Sequence, residues 1–168
     1  NKYEKAKAHL NEALILLMRH ENSLRIAEAK YLQGRIHMER TNDKDALALF
    51  NEAKAIFDGE TNHVGSAKCL NLIAMSTVRL TNDLAQGETI LEEAYILQKN
   101  VSPTSFKLET LRYLARLKMA LGEFNQAEDA LTEAIQVSEQ LQDVAGDMHV
   151  QFEYILFYRR QNKMDQAL

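Results

Sequence analysis

The stretch Leu111–Ala134, LRYLARLKMALGEFNQAEDALTEA, decides how the whole 168-residue chain is read. Leu111, Leu114, Ala115 and Leu121 recur at helical spacing and give a first helix one apolar face. Gly122 interrupts that pattern, because glycine accepts the left-handed conformation that ends a helix. Beyond it Ala127, Leu131 and Ala134 fall at i, i+4 and i+7, a small-large-small stripe on one face of a second helix. Small residues in such a stripe let backbones approach closely. The stretch therefore reads as a helical hairpin.

The stripe is not confined to this hairpin. It occurs as Ala6, Leu10, Ala13, then Ala46, Phe50, Ala53, then Gly87, Leu91, Ala94, before Ala127, at intervals of 40, 41 and 40 residues. Ala167 opens a further copy 40 residues on. Just before each stripe helix stands a turn: Thr41-Asn42-Asp43, Thr81-Asn82-Asp83, Leu121-Gly122-Glu123 and Gln161-Asn162-Lys163. There Asn or Gly is expected to end one helix, and Asp43 or Asp83 to cap the amides of the next. The other connections contain Asn22-Ser23, Thr61-Asn62 and Ser102-Pro103, where Ser or Thr offers an N-cap and Pro103 suits a first helical position. The predicted helices span 4–20, 23–40, 44–58, 65–81, 84–99, 104–121, 124–140 and 144–161, with a truncated one from 164.

Composition agrees with an all-α chain. There is one proline against six glycines, and no strand pattern competes. Apolar residues make up 46%, yet no run reaches the ~18 needed to cross a bilayer, and residues 13–18 read as a buried helix face. Net charge is −4 and the isoelectric point about 5.8, which argues against a nucleic-acid grip. A lone Cys69 closes no intramolecular disulfide, so an intracellular, cytoplasmic setting is expected. Asn100-Val101-Ser102 matches a glycosylation sequon, but Pro103 makes it a poor acceptor. A start at Asn1 and a stop inside a helical pattern suggest an excised segment.

Leu114-Ala115, Leu121-Gly122-Glu123-Phe124, Ala127, Leu131 and Ala134 match the tetratricopeptide consensus in order and spacing. Gly34, Ala74 and Ala115 take that family's small position in its first helix, helix A, while Ile155 departs from it and makes the last hairpin looser. The period resembles the longer variant of kinesin light chains, spindle-orientation adaptors and bacterial peptide-sensing regulators. The resemblance implies a right-handed superhelical solenoid of stacked antiparallel hairpins, one array over 1–168, with second helices (helix B) near 4–20, 44–58, 84–99 and 124–140 and a last unit truncated at 168.

In this family helix A lines the concave surface. The inward positions so implied are Tyr31, Arg35, Met38, Lys68, Asn71, Met75, Arg79, Arg112, Arg116, Met119, Phe152, Arg159 and Arg160. Six arginines and a lysine in an acidic chain point to an acidic peptide or protein segment as ligand, with the Met and aromatic residues supplying apolar contact. The competing reading pairs those arginines with Glu28, Glu39, Glu109 and Glu153 on the same helices.

Nothing in the chain spells out chemistry. His9, His20, His37, His63 and His149 are scattered, Cys69 lacks a CxxC companion and reads as a structural thiol, and no glycine cluster cradles phosphate. No enzyme, cofactor, metal, membrane or direct nucleic-acid partner is expected. The leading reading is a protein-binding scaffold. The alternatives are a peptide- or effector-sensing regulatory module coupled to a DNA-binding or other output domain, and self-association through terminal faces.

Overall fold

The computed structural model describes residues 2–19 and 22–161. They form α1 (Lys2–Arg19), α2 (Ser23–Glu39), α3 (Asp43–Gly59), α4 (His63–Thr81), α5 (Leu84–Gln98), α6 (Ser105–Leu121), α7 (Phe124–Leu141) and α8 (Val144–Arg160). These bounds lie within two residues of the predicted ones. The expected helix from 164 lies outside the described residues. The chain divides into two compact units, Asn1–Asn82 with α1 to α4 and Asp83–Leu168 with α5 to α8. Within each, stripe helices alternate with their partners.

The stripes are the cores of the hairpins. Ala46, Phe50 and Ala53 in α3, Leu91 and Ala94 in α5, and Ala127, Leu131 and Ala134 in α7 are all completely buried. Sequence reasoning overreached at the first stripe, where Ala6 is exposed and Leu10 and Ala13 are half-buried. The physical reason is that α1 packs on α2, whereas α3 packs on both α2 and α4.

Two glycines of the first unit act as sockets. A Cβ on Gly34 would sit 2.5 Å from a Phe50 ring carbon, and one on Gly65 would sit 2.3 Å from the Phe57 ring. Two stripe-side rings of α3 thus lock into glycine notches on α2 and α4. In the second unit Gly146 of α8 receives Leu108 of α6, with 2.5 Å to the leucine methyl.

The ends of the helices correct several expected caps. Asn22, Asn62, Asp83, Thr104 and Asp143 are the N-caps that accept a backbone amide, at 2.8–3.1 Å. Ser23 instead lies inside α2 and donates to Glu60 at 2.6 Å. Thr61 has φ 51° and ends α3, and Pro103 precedes the Thr104 cap rather than opening the helix. Asp43 lies in the first turn of α3, where its carboxylate faces Arg79, and Asn42 is the cap residue. Asn82 and Gly122 are left-handed as expected, but so are Thr41 and Gln142. At Thr41, Thr61, Gly122 and Gln142 a pair of backbone bonds closes the turn, for example Asn42 N–H to His37 O at 3.0 Å and Thr41 N–H to Met38 O at 3.1 Å. These bonds satisfy carbonyls that the helix end leaves open and offset the strain of a left-handed threonine.

Candidate binding faces

In the first unit the residues expected to face a partner are largely consumed by the fold. Lys68 is only 4% exposed, pairs with Glu28 of α2, and holds its Nζ 4.6 Å from the Tyr31 ring centre and 4.9 Å from that of Phe57. Tyr31 and Asn71 are buried as well. Arg79 Nη2 lies 2.6 Å from Asp43 Oδ1 on the preceding helix. Met38 and Met75 are half-buried, and Arg35 is exposed with no ion partner among the described residues.

The second unit brings its arginines together. Arg116 and Met119 of α6 face Glu153, Leu156, Arg159 and Arg160 of α8 across a cleft of about 380 Å³. Helical spacing explains the grouping: 153, 156 and 160 stack along one face of α8, and 116 and 119 along one face of α6. Arg159 and Arg160 are exposed in the last turn and have no ion partner among the described residues. Arg112 Nη2 and Arg116 Nε stand 3.6 and 3.5 Å from Glu153 Oε1. Phe152 does not join this cleft. It is 55% exposed and continues a row with Val144, Met148 and Ile155.

Solved structures share this arrangement of hairpins. A protein of Podosopora anserina described as a kinesin light chain with nearly identical TPR-like repeats superposes with a TM-score of 0.69 at 14% identity, over 98% of this chain and 82% of that one. A singly substituted form of it gives 0.71 at 15% identity, over 98% and 81%. The fold is that of TPR-like repeats. No family model matches the sequence, and no curated protein matches it.

On the register expected from the sequence, α2, α4, α6 and α8 take the helix A places and α3, α5 and α7 the helix B places. The expected pairing of arginines with same-helix glutamates does not occur as written. Glu28 meets Lys68 across helices, Glu109 accepts from the Tyr113 hydroxyl at 3.0 Å, and Glu153 meets the arginines of α6 rather than those of its own helix. The sequence reading also missed Lys118, a buried helix A lysine that pairs with Glu88 and lies 3.5 Å from Glu92 and 3.6 Å from Glu123. Burial alone would lower its pKa, but these carboxylates outweigh burial and raise it. The signal was present, since Glu88 and Glu92 at i, i+4 on α5 repel unless a cation stands between them.

The remaining polar groups serve the fold. Cys69 is fully buried, and burial pushes its thiol up to about 12, which suits a structural role. Tyr95 donates to Glu133 at 2.7 Å, and that hydrogen bond, aided by burial, pushes its hydroxyl up to about 12. Among the described residues no helix is long and apolar enough to cross a membrane.

Proposed function

We propose that this chain is a protein-interaction module that holds an acidic peptide or protein segment against its helix A faces, anchored in the α6–α8 cleft. TPR-like repeats commonly mediate protein–protein interaction, and the fold supports that class of reading. The observation that favours an acidic ligand is Arg159 and Arg160, two exposed guanidinium groups with no ion partner among the described residues, beside Arg116 at the rim of one cleft. Guanidinium holds carboxylate through two parallel hydrogen bonds, and Met119 and Leu156 give the same cleft apolar surface. Arg35 adds an unpaired cation in the first unit. A buried, reduced Cys69 accords with an intracellular setting.

The test is fluorescence anisotropy with end-blocked, labelled heptapeptides rich in aspartate, against the same peptides with asparagine for aspartate. Binding is expected to prefer the acidic set and to weaken with salt. Arg159→Glu with Arg160→Glu should lower affinity at least about tenfold, which corresponds to ~1.4 kcal/mol. Both residues are exposed, so the melting temperature should hardly move. Unchanged affinity in the double variant would overturn the reading. Charge reversal at Arg112 or Arg116 is a poorer test, because both also balance buried Glu153.

A further inference from the structure

Glu153 is the least expected residue in the cleft. It is 1% exposed, yet its Oε2 accepts no hydrogen bond, and its Oε1 lies 3.5 and 3.6 Å from the nearest arginine nitrogens. Those separations exceed the ~2.7–2.9 Å of a charge-assisted hydrogen bond. Arg112 and Arg116 therefore balance the charge of Glu153 without meeting its hydrogen-bonding demand. Buried Lys68 and Lys118, by contrast, each have a carboxylate at hydrogen-bond distance. With this acceptor open in the wall of a cleft and the buried Nε of Arg112 open as a donor, the site calls for a group from outside that can both donate and accept.

The surroundings restrict what that donor can be. Arg112, Arg116, Arg159 and Arg160 all lie on the two helices that frame the carboxylate, so a lysine or arginine from a partner would meet net repulsion. A neutral N–H avoids that penalty. The depth of Glu153 admits the tip of a side chain more readily than a backbone threaded between α6 and α8. Arg116 holds its Nε 3.5 Å from Glu153 Oε1 on a side chain that is 47% exposed, which gives it room to turn toward solvent.

From this we infer that Glu153 is a specificity-determining residue, which takes the side-chain carboxamide of a partner asparagine or glutamine while Arg159 and Arg160 take an adjacent acidic side chain. The carboxamide N–H donates to Glu153 Oε2, and Arg116 turns outward to the ligand's carboxylate. The inference rests on the acidic-segment reading above and adds a second, uncharged element to the recognised sequence.

The test uses two labelled, end-blocked heptapeptides, one with asparagine before two aspartates and one with leucine, of similar shape, in place of that asparagine. The readout is the ratio of their dissociation constants, which is insensitive to the folded fraction and to any general change in potential. The wild-type protein should prefer the asparagine peptide by about tenfold, the size expected of a hydrogen bond to a charged group. In Glu153→Gln and in Glu153→Asp, which withdraws the carboxylate by one methylene, the ratio should fall below about threefold. Equal binding of both peptides by the wild type, with loss in the Arg159→Glu, Arg160→Glu variant, would overturn this inference and leave the acidic-segment reading standing. A preference that survives both Glu153 variants would also overturn it. Binding of neither peptide would remove the acidic-segment reading itself.

Discussion

The two units share one hairpin plan but distribute their charges differently. In the first unit Lys68 is buried on Glu28 and Arg79 faces Asp43, while Arg35 stays exposed. In the second, charge is sorted by helix type. Helices α5 and α7 contain no lysine or arginine, while α6 and α8 carry Lys107, Arg112, Arg116, Lys118, Arg159 and Arg160. The difference teaches that a stripe of small and large residues specifies the hairpin, whereas the remaining faces are free to diverge. The first unit turns Lys68 and Arg79 onto its own carboxylates, and the second also gathers exposed arginines at one cleft.

The units also differ in how their sockets are filled, which makes the largest prediction. Phe50→Ala should cost about 3–5 kcal/mol in urea unfolding, because it empties the Gly34 notch at a completely buried position. A smaller loss would mean that the first unit is not held by its aromatic lock. Next, Gly65→Ala should cost about 1–3 kcal/mol by driving a methyl into the rigid Phe57 ring. Gly146→Ala should cost less, since the atoms the methyl would meet, a Leu108 methyl at 2.5 Å and an Asp143 carboxylate oxygen at 2.6 Å, are the ends of side chains that can shift where a phenyl ring cannot. Equal losses would break the comparison.

The charge contrast is sharpened by pH. Lys118→Met should cost about 1–2 kcal/mol at neutral pH, as it leaves Glu88 and its neighbours without their cation. The pKa of Lys118 is raised above 10.5, so its contribution is complete below that value and is lost as pH rises through the folded-state value. The variant should therefore lose part of the alkaline fall in melting temperature. Asp58 in the first unit runs the other way. Burial would raise its pKa, but hydrogen bonds from Ser66 and Lys54 outweigh that and hold it below 3.8. Its contribution is present above 3.8 and is lost as pH falls through the lower folded value, so Asp58→Asn should flatten the acid limb. Melting curves that respond to both variants on the same limb would contradict the contrast.

The smallest effect is a control for the sockets. Gly59 ends α3, and a methyl added there would meet nothing within 4 Å, so Gly59→Ala should gain about 0.4–1 kcal/mol. Destabilisation there would show that glycine in this unit serves the backbone rather than packing.

Much of the fold was legible because it is punctuated locally. Gly122, Asn82 and Asp83 mark helix ends through their own conformational preferences, and Leu91 or Leu131 announces burial by spacing alone. The reading failed where one residue's shift changes a role. Ser23 and Thr61 are good caps by type, but the chain direction at Asn22 and Asn62 gives those residues the cap geometry. The binding face was less legible still. Tyr31, Lys68 and Asn71 occupy inward register positions, yet their side chains are absorbed by neighbouring helices.

The sequence by itself determined the helix bounds and the buried stripes of α3, α5 and α7, since periodicity and capping act over a few residues and need no knowledge of distant ones. Only the tertiary structure decided which charges are neutralised within the fold and which remain open. Whether Arg79 finds Asp43, Lys118 finds Glu88, or Arg159 finds nothing among the described residues depends on distances between helices. Arg79 meets Asp43 across the same α3–α4 contact in which Phe57 seats against Gly65, and no spacing along one helix contains that distance.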